Sequence, residues 1–81
     1  MIIKVLGSGC ANCNTLENRV KDVLQKHDFE ASVEKITDFS VMMQYGLMGS
    51  PGLVINEKLV SSGKLLTHQQ IIDLIKSNIS V

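Results

Sequence analysis

The chain has 81 residues, the size of one small domain, and its eight basic residues balance eight acidic ones. This net charge of zero offers no electrostatic attraction to nucleic acid or to an anionic membrane surface, so neither is expected as a partner. The apolar runs are only a few residues long, so no membrane span is predicted. One domain over residues 1–81 is expected.

The chain begins with an apolar run, Ile2 to Leu6, which predicts a strand covered on both faces. Its charged residue, Lys4, is interpreted as a lysine whose stem is covered and whose amine reaches solvent. No charged region and long apolar stretch precede a cleavage site, so no signal peptide is predicted and the cytoplasm is the expected location. Cysteines in that reducing compartment more often act in catalysis or bind metal than form structural disulfides.

Two cysteines follow this strand in the stretch Gly7-Ser8-Gly9-Cys10-Ala11-Asn12-Cys13. A helix is predicted after the glycine loop, to about Lys26, because apolar residues recur at helical spacing at Leu16, Val20, Val23 and Leu24. This places Cys10 at the N-terminus of the helix and Cys13 one turn inside it, where it is expected to be more covered.

The position of Cys10 bears on its chemistry because the thiolate, not the thiol, is the nucleophile. Unpaired backbone N–H groups and the positive end of the helix dipole favour a negative charge there. Residues three apart on a helix have Cα atoms about 5 Å apart, within the range that a disulfide accepts. Cys10 and Cys13 are therefore predicted to carry out reversible dithiol–disulfide exchange.

The middle of the chain contains signals for one strand and one helix. Alternating apolar and polar residues from Glu30 to Ile36 predict a second strand, and its charges suit a sheet edge. Asp38 is placed to cap a short helix, Phe39 to Tyr45, and Gly46 to end it.

The C-terminal third predicts a hairpin followed by a helix. Leu53 to Ile55 and Lys58 to Ser61 are the two strands, joined by a two-residue turn. Thr67 and Gln70 form a T-x-x-Q capping box, which starts a last helix that runs to about Asn78.

These elements follow the order β-α-β-α-β-β-α. The right-handed crossover rule makes the first two strands parallel neighbours with the first helix packed on one face, and the closing hairpin is antiparallel. The predicted fold class is therefore α/β, with one four-stranded mixed sheet and helices on both faces.

Three stretches carry a resemblance to a known family. They are G-x-G-C-x-x-C at Gly7 to Cys13, x-P-x-x-V-I-N at Ser50 to Asn56, and G-K-x-x-T at Gly63 to Thr67. Together they make essentially the whole chain similar to the thioredoxin family. The chain most resembles the short thioredoxin-like or glutaredoxin-like redox-active disulfide proteins of prokaryotes, and this implies a thioredoxin-like fold.

The resemblance implies a thiol–disulfide oxidoreductase that needs no bound cofactor. Cys10 would be the attacking thiol, Cys13 the resolving thiol, and Pro51 a cis-proline beside them. Ser50 would offer backbone groups to an extended segment of a client protein, and the active-site loop would contain Gly9, Ala11 and Asn12. The expected partners are protein disulfides and an unidentified reductase, and the protein is expected to be a monomer.

Binding of a soft metal is the alternative function. Metallochaperone domains of similar length also place a C-x-x-C between the first strand and the first helix, and two thiolates suit Cu(I) or Zn(II). Those domains follow the order β-α-β-β-α-β, whereas this chain is predicted to end in a helix, and they need no proline beside the cysteines. Neither His27 nor His68 is placed to join Cys10 and Cys13 as a third ligand, so no metal site is predicted.

Overall fold

The computed structural model of the chain describes residues 1–79, so the last two residues of the predicted domain lie outside it. Its strands are β1 (Ile2–Leu6), β2 (Ser32–Ile36), β3 (Gly52–Ile55) and β4 (Lys58–Ser62). Its helices are α1 (Ala11–Lys26), α2 (Phe39–Gln44) and α3 (His68–Ile79). Across the described residues, the elements follow the predicted order.

The strands form one mixed sheet in the order β2-β1-β3-β4. β1 pairs in parallel with β2 and antiparallel with β3, and β3 and β4 form the antiparallel hairpin. β2 lies at the edge, as predicted, but it begins at Ser32 rather than Glu30. The reason is the register: Ile2, the first residue of β1, lies opposite Ser32, so the parallel ladder starts only there.

Apolar residues are buried on both faces of the sheet because successive side chains of a strand point to opposite faces. α1 and α3 cover one face, where they bury the strand residues Ile3, Val5, Leu53 and Ile55. α2 covers the other face, where Met42 packs in a smaller buried cluster with Leu6 and Val54. Helices therefore lie on both faces, as the sequence predicted.

The ends of α2 follow the signals in the sequence. The Asp38 carboxylate accepts hydrogen bonds from the Ser40 hydroxyl at 2.7 Å and from the Ser40 N–H at 2.9 Å. These bonds hold the pKa of Asp38 below its usual range. Gly46 follows the helix with a φ of +80°, the left-handed conformation typical of a helix C-terminus.

The capping box of α3 is reciprocal, as predicted. The Gln70 N–H donates to Thr67 Oγ1 at 3.2 Å, and the Thr67 N–H donates to Gln70 Oε1 at 2.9 Å.

We expect Thr67→Ala to lower the free energy of unfolding by about 1 kcal/mol, because a first-turn N–H loses its acceptor. Urea unfolding followed by circular dichroism measures this change. Thr15→Ala, inside α1, is the control, and an equal loss in both variants would contradict a capping role.

Candidate active site

Cys10 and Cys13 are joined by a disulfide at the N-terminus of α1, and their Cα atoms lie 5.0 Å apart. Cys10 is the N-cap residue, with an extended backbone (φ −67°, ψ 164°). Its Sγ accepts the Cys13 N–H at 3.1 Å, and its carbonyl accepts the Asn14 N–H at 3.0 Å. Cys10 is exposed, whereas Cys13 is only 1% exposed. A reagent arriving from solvent therefore meets Cys10 first.

Two glycines allow the turn between β1 and α1. Gly9 has a φ of +92°, which other residues rarely adopt. Gly7 is buried against Cys13: a Cβ added to Gly7 would lie 2.9 Å from the Cys13 Cβ and closer still to its Sγ. The Gly7 N–H also donates to the Ile36 carbonyl at 2.9 Å, which ties the loop to the end of β2. Sequence reasoning identified the glycine loop but missed the contact between Gly7 and the buried cysteine.

The second loop of the site contains Ser50 and Pro51, which are joined by a cis peptide bond. Pro51 is buried and Ser50 is exposed. The Gly63 N–H donates to the Pro51 carbonyl at 2.9 Å. Gly49 and Gly63 are also neighbours, since a Cβ added to Gly49 would lie at an ordinary van der Waals distance of 3.5 Å from the Gly63 Cα. The end of β4 therefore supports the loop that leads into β3.

An apolar groove of about 300 Å³ lies along α2 and reaches both the cysteine loop and the proline loop. Ser8 and Ser50 both line it, so residues close to Cys10 and to Pro51 face the same space. The rest of the lining comes from α2 and its flanking segments, and consists of Thr37, Phe39, Met42, Met43, Leu47, Met48 and Gly49. We call this space the methionine groove. The sequence analysis did not identify this groove.

A polar cluster joins the far end of α2 to the sheet. The Lys4 amine donates hydrogen bonds to Glu57 Oε1 at 2.6 Å and to Tyr45 Oη at 2.8 Å, and the Tyr45 hydroxyl donates to Glu57 Oε2 at 3.1 Å. The hydrogen bonds that Lys4 donates, first to Glu57 and then to Tyr45, raise the pKa of Lys4 above its usual range. The hydrogen bonds that Glu57 accepts, first from Lys4 and then from Tyr45, lower the pKa of Glu57. The Lys4 side chain is 18% exposed, and its amine binds neighbours rather than extending freely into solvent.

This cluster predicts a pH dependence of stability. A carboxyl whose pKa is lowered on folding stabilises the protein above its unfolded pKa, and this contribution is lost as the pH falls through the folded pKa. We expect Glu57→Gln to destabilise the protein at neutral pH, and this effect to shrink progressively as the pH falls below the ordinary pKa of a Glu carboxyl and through the lowered pKa of Glu57. Urea unfolding at several pH values measures the difference, with Glu30→Gln as the matched control. A difference that stays constant with pH would contradict the pairing of Glu57 with Lys4.

The structure places the predicted site residues in two adjoining loops and one helix turn. Gly9 belongs to the loop before α1, whereas Ala11 and Asn12 form the exposed first turn of α1 rather than part of the loop. Within residues 1–79, no group of three or more His, Cys, Asp or Glu side chains is placed to hold a metal ion. None of the helices in this range has the length and apolar character needed to cross a membrane.

A mixed sheet of this order, with a C-x-x-C disulfide at the start of its first helix, defines the class of thioredoxin-like thiol–disulfide oxidoreductases. The sequence model of the thioredoxin domain family matches residues 1–76, so the chain belongs to that family. The predicted family, fold and enzyme class are therefore confirmed.

Two archaeal relatives agree with this assignment. The chain is 31% identical over 71 residues to a thioredoxin of Methanothermobacter thermautotrophicus, and this alignment covers 88% of this chain and 92% of that protein. It is 26% identical over 77 residues to a thioredoxin of Methanocaldococcus jannaschii, and this alignment covers 95% of this chain and 88% of that protein. Neither relative supports the soft-metal alternative.

The fold also matches a solved structure described as that of a malarial protein. The two superpose with a TM-score of 0.70 over 98% of this chain and 97% of that one. Their sequences are 14% identical, so this likeness bears on the fold alone.

Proposed function

We propose that the protein reduces disulfides of client proteins, with Cys10 as the attacking thiol and Cys13 as the resolving thiol. The observation that carries this proposal is the difference in exposure between an accessible N-cap cysteine and a partner that is 1% exposed. Only the exposed sulfur can be approached by a second large molecule.

The exchange proceeds in two substitutions at sulfur. The Cys10 thiolate attacks one sulfur of the client disulfide, a mixed disulfide forms, and the other client sulfur leaves as a thiolate. Cys13 then loses its proton and attacks the Cys10 sulfur, which restores the Cys10–Cys13 disulfide and releases the first client sulfur. Two electrons pass to the client, which leaves as a dithiol, and no bound cofactor takes part.

The client segment is proposed to lie across both loops of the site. Ser50 is exposed and shares the methionine groove with Ser8, so its backbone is available to an extended segment next to Cys10. Pro51 is buried beneath this position and has its carbonyl bound to Gly63, which fixes the loop. Three small or polar residues, Gly9, Ala11 and Asn12, surround the cysteines and leave room for the client.

We further propose a cytoplasmic monomer that forms one domain over residues 1–81. A dithiol donor must be reduced again after every turnover, and the cytoplasm maintains thiols in the reduced state. A separate reductase is the proposed electron source. Size-exclusion chromatography with light scattering tests the oligomeric state, and a stable dimer would contradict this part of the proposal.

Insulin reduction by dithiothreitol tests the function, because the freed chains precipitate and can be followed by turbidity. We expect the protein to accelerate the reaction equally with and without EDTA. Cys10→Ala should remove the acceleration, and Thr15→Ala, on the same helix, is the control that retains both thiols. Loss of activity in EDTA, or a tightly bound metal at one per chain, would overturn the proposal in favour of a soft-metal carrier.

A further inference from the structure

The methionine groove contains two methionines that are unusually open to solvent. Met48 is 95% exposed and Met43 is 57% exposed, whereas Met42, in the same groove, is only 5% exposed. Met1 is partly buried and packs against the core on the opposite face of the sheet. Exposed apolar residues are unremarkable singly, but several around one groove indicate a surface that another molecule covers.

The chemistry of the groove indicates what covers it. Among the residues that the structure describes, its lining contains no Lys, Arg, His, Asp or Glu side chain. It reaches the active site through Ser8, two residues before Cys10, and through Ser50, which precedes Pro51. Its occupant is therefore an apolar part of the client segment that flanks the client disulfide. The unbranched thioether side chains can adapt to different apolar residues.

We propose that Met43 and Met48 form an oxidant-sensitive modification site that controls client binding. A peroxide transfers one oxygen atom to the thioether sulfur, which is oxidised by two electrons to a sulfoxide, while the peroxide is reduced to water or an alcohol. Exposure sets the order of reaction, so Met48 is oxidised first, Met43 next, and Met42 is spared. This inference rests on the proposed function.

Oxidation changes the groove without touching the cysteines. Burial of the thioether under an apolar client segment contributes favourable free energy to binding. A sulfoxide is polar, so its burial loses that contribution and weakens client binding. In the disulfide state of the protein, Cys10 and Cys13 have no free thiol to compete for peroxide. Peroxide that acts on the disulfide form therefore affects the binding of apolar clients, while the dithiol chemistry is recovered when the disulfide is reduced.

The experiment compares a protein client with a small disulfide before and after oxidation. The disulfide form is treated with hydrogen peroxide, peptide mass spectrometry locates the added oxygen, and the protein is then reduced and assayed. We expect the KM for insulin to rise about tenfold, the order given by the burial of one apolar side chain. The rate with hydroxyethyl disulfide, which cannot fill the groove, should be unchanged.

Variants separate these two sites from the other methionines. The ratio of KM after and before oxidation should fall to about one in the double variant Met43→Leu/Met48→Leu, which retains Met1 and Met42. The ratio should stay high in Met42→Leu, the matched control. Met48→Gln, which introduces a polar side chain without an oxidant, should raise the KM for insulin. Repair by methionine sulfoxide reductases should restore the original KM.

The outcomes distinguish this inference from the proposed function. If the untreated protein does not reduce insulin, the proposed function fails and this inference fails with it. If the untreated protein is active but its KM does not change on oxidation of Met48, this inference alone is overturned. A rise in KM on oxidation that persists in the double variant would also overturn this inference. So would an equal loss of activity with hydroxyethyl disulfide.

Discussion

We expect a reduced Cys13→Ser variant to accumulate a covalent mixed disulfide with its client through Cys10, and a Cys10→Ser variant to accumulate none. The reason is the difference in exposure: Cys10 is open to solvent at the N-cap, whereas Cys13 is covered. Turnover should fall at least about a thousandfold in both variants, because each lacks one of the two sulfurs that act in sequence. Non-reducing gel electrophoresis and mass spectrometry detect the trapped complex.

Alkylation provides an independent measure of the same asymmetry. In each single variant the remaining thiol can be treated with iodoacetamide at neutral pH, and the rate read from the mass spectrum. The thiol of Cys10 should react much faster because it is exposed and the N–H groups of the first turn favour its thiolate. Equal rates, or trapping through Cys13, would contradict the assigned roles.

We expect Gly7→Ala to destabilise the protein by about 1–3 kcal/mol, the usual cost of overpacking a filled core. The added Cβ would lie 2.9 Å from the Cys13 Cβ, so Cys13 or the end of β1 must move. Gly7 does not have a left-handed backbone, so this cost is steric rather than conformational. Urea unfolding of the disulfide form measures the effect.

Gly49→Ala is the matched control for Gly7→Ala. Its added Cβ would lie 3.5 Å from the Gly63 Cα, an ordinary van der Waals separation, so we expect little change in stability. The Gly7 variant should also re-form its disulfide more slowly from the reduced state, because the displaced atom belongs to a reacting residue. Equal stability of the two variants would contradict this expectation and would show that the atoms around Cys13 can move to accommodate the added Cβ.

The parts of the site that depend on local sequence could be predicted. The position of Cys10 and Cys13 depends only on where one helix begins, and the glycine loop fixes that point. The ends of the other helices are equally local, since the capping atoms of Thr67 and Gln70 are three residues apart. The element order was therefore predictable, and so was the parallel pairing of the first two strands.

Contacts between distant residues could not be predicted from patterns in one sequence. Lys4 binds Tyr45 and Glu57, which are 41 and 53 residues away, and only the exact packing of α2 on the sheet brings them together. The contact of Gly7 with Cys13 depends on the angle between β1 and α1 in the same way. The methionine groove shows the same difficulty, because α2 and two separate loops build its walls.

The unequal cores on the two faces of the sheet have a consequence for hydrogen exchange. α2 has only six residues, too few for a stable isolated helix, and it buries Met42 in a small cluster. Its amide protons should therefore exchange through local opening events, at a lower free energy than those of β1 and α1. We therefore expect the wall of the methionine groove to rearrange more readily than the segment that holds Cys10 and Cys13, which would let it fit the proposed clients of different shape.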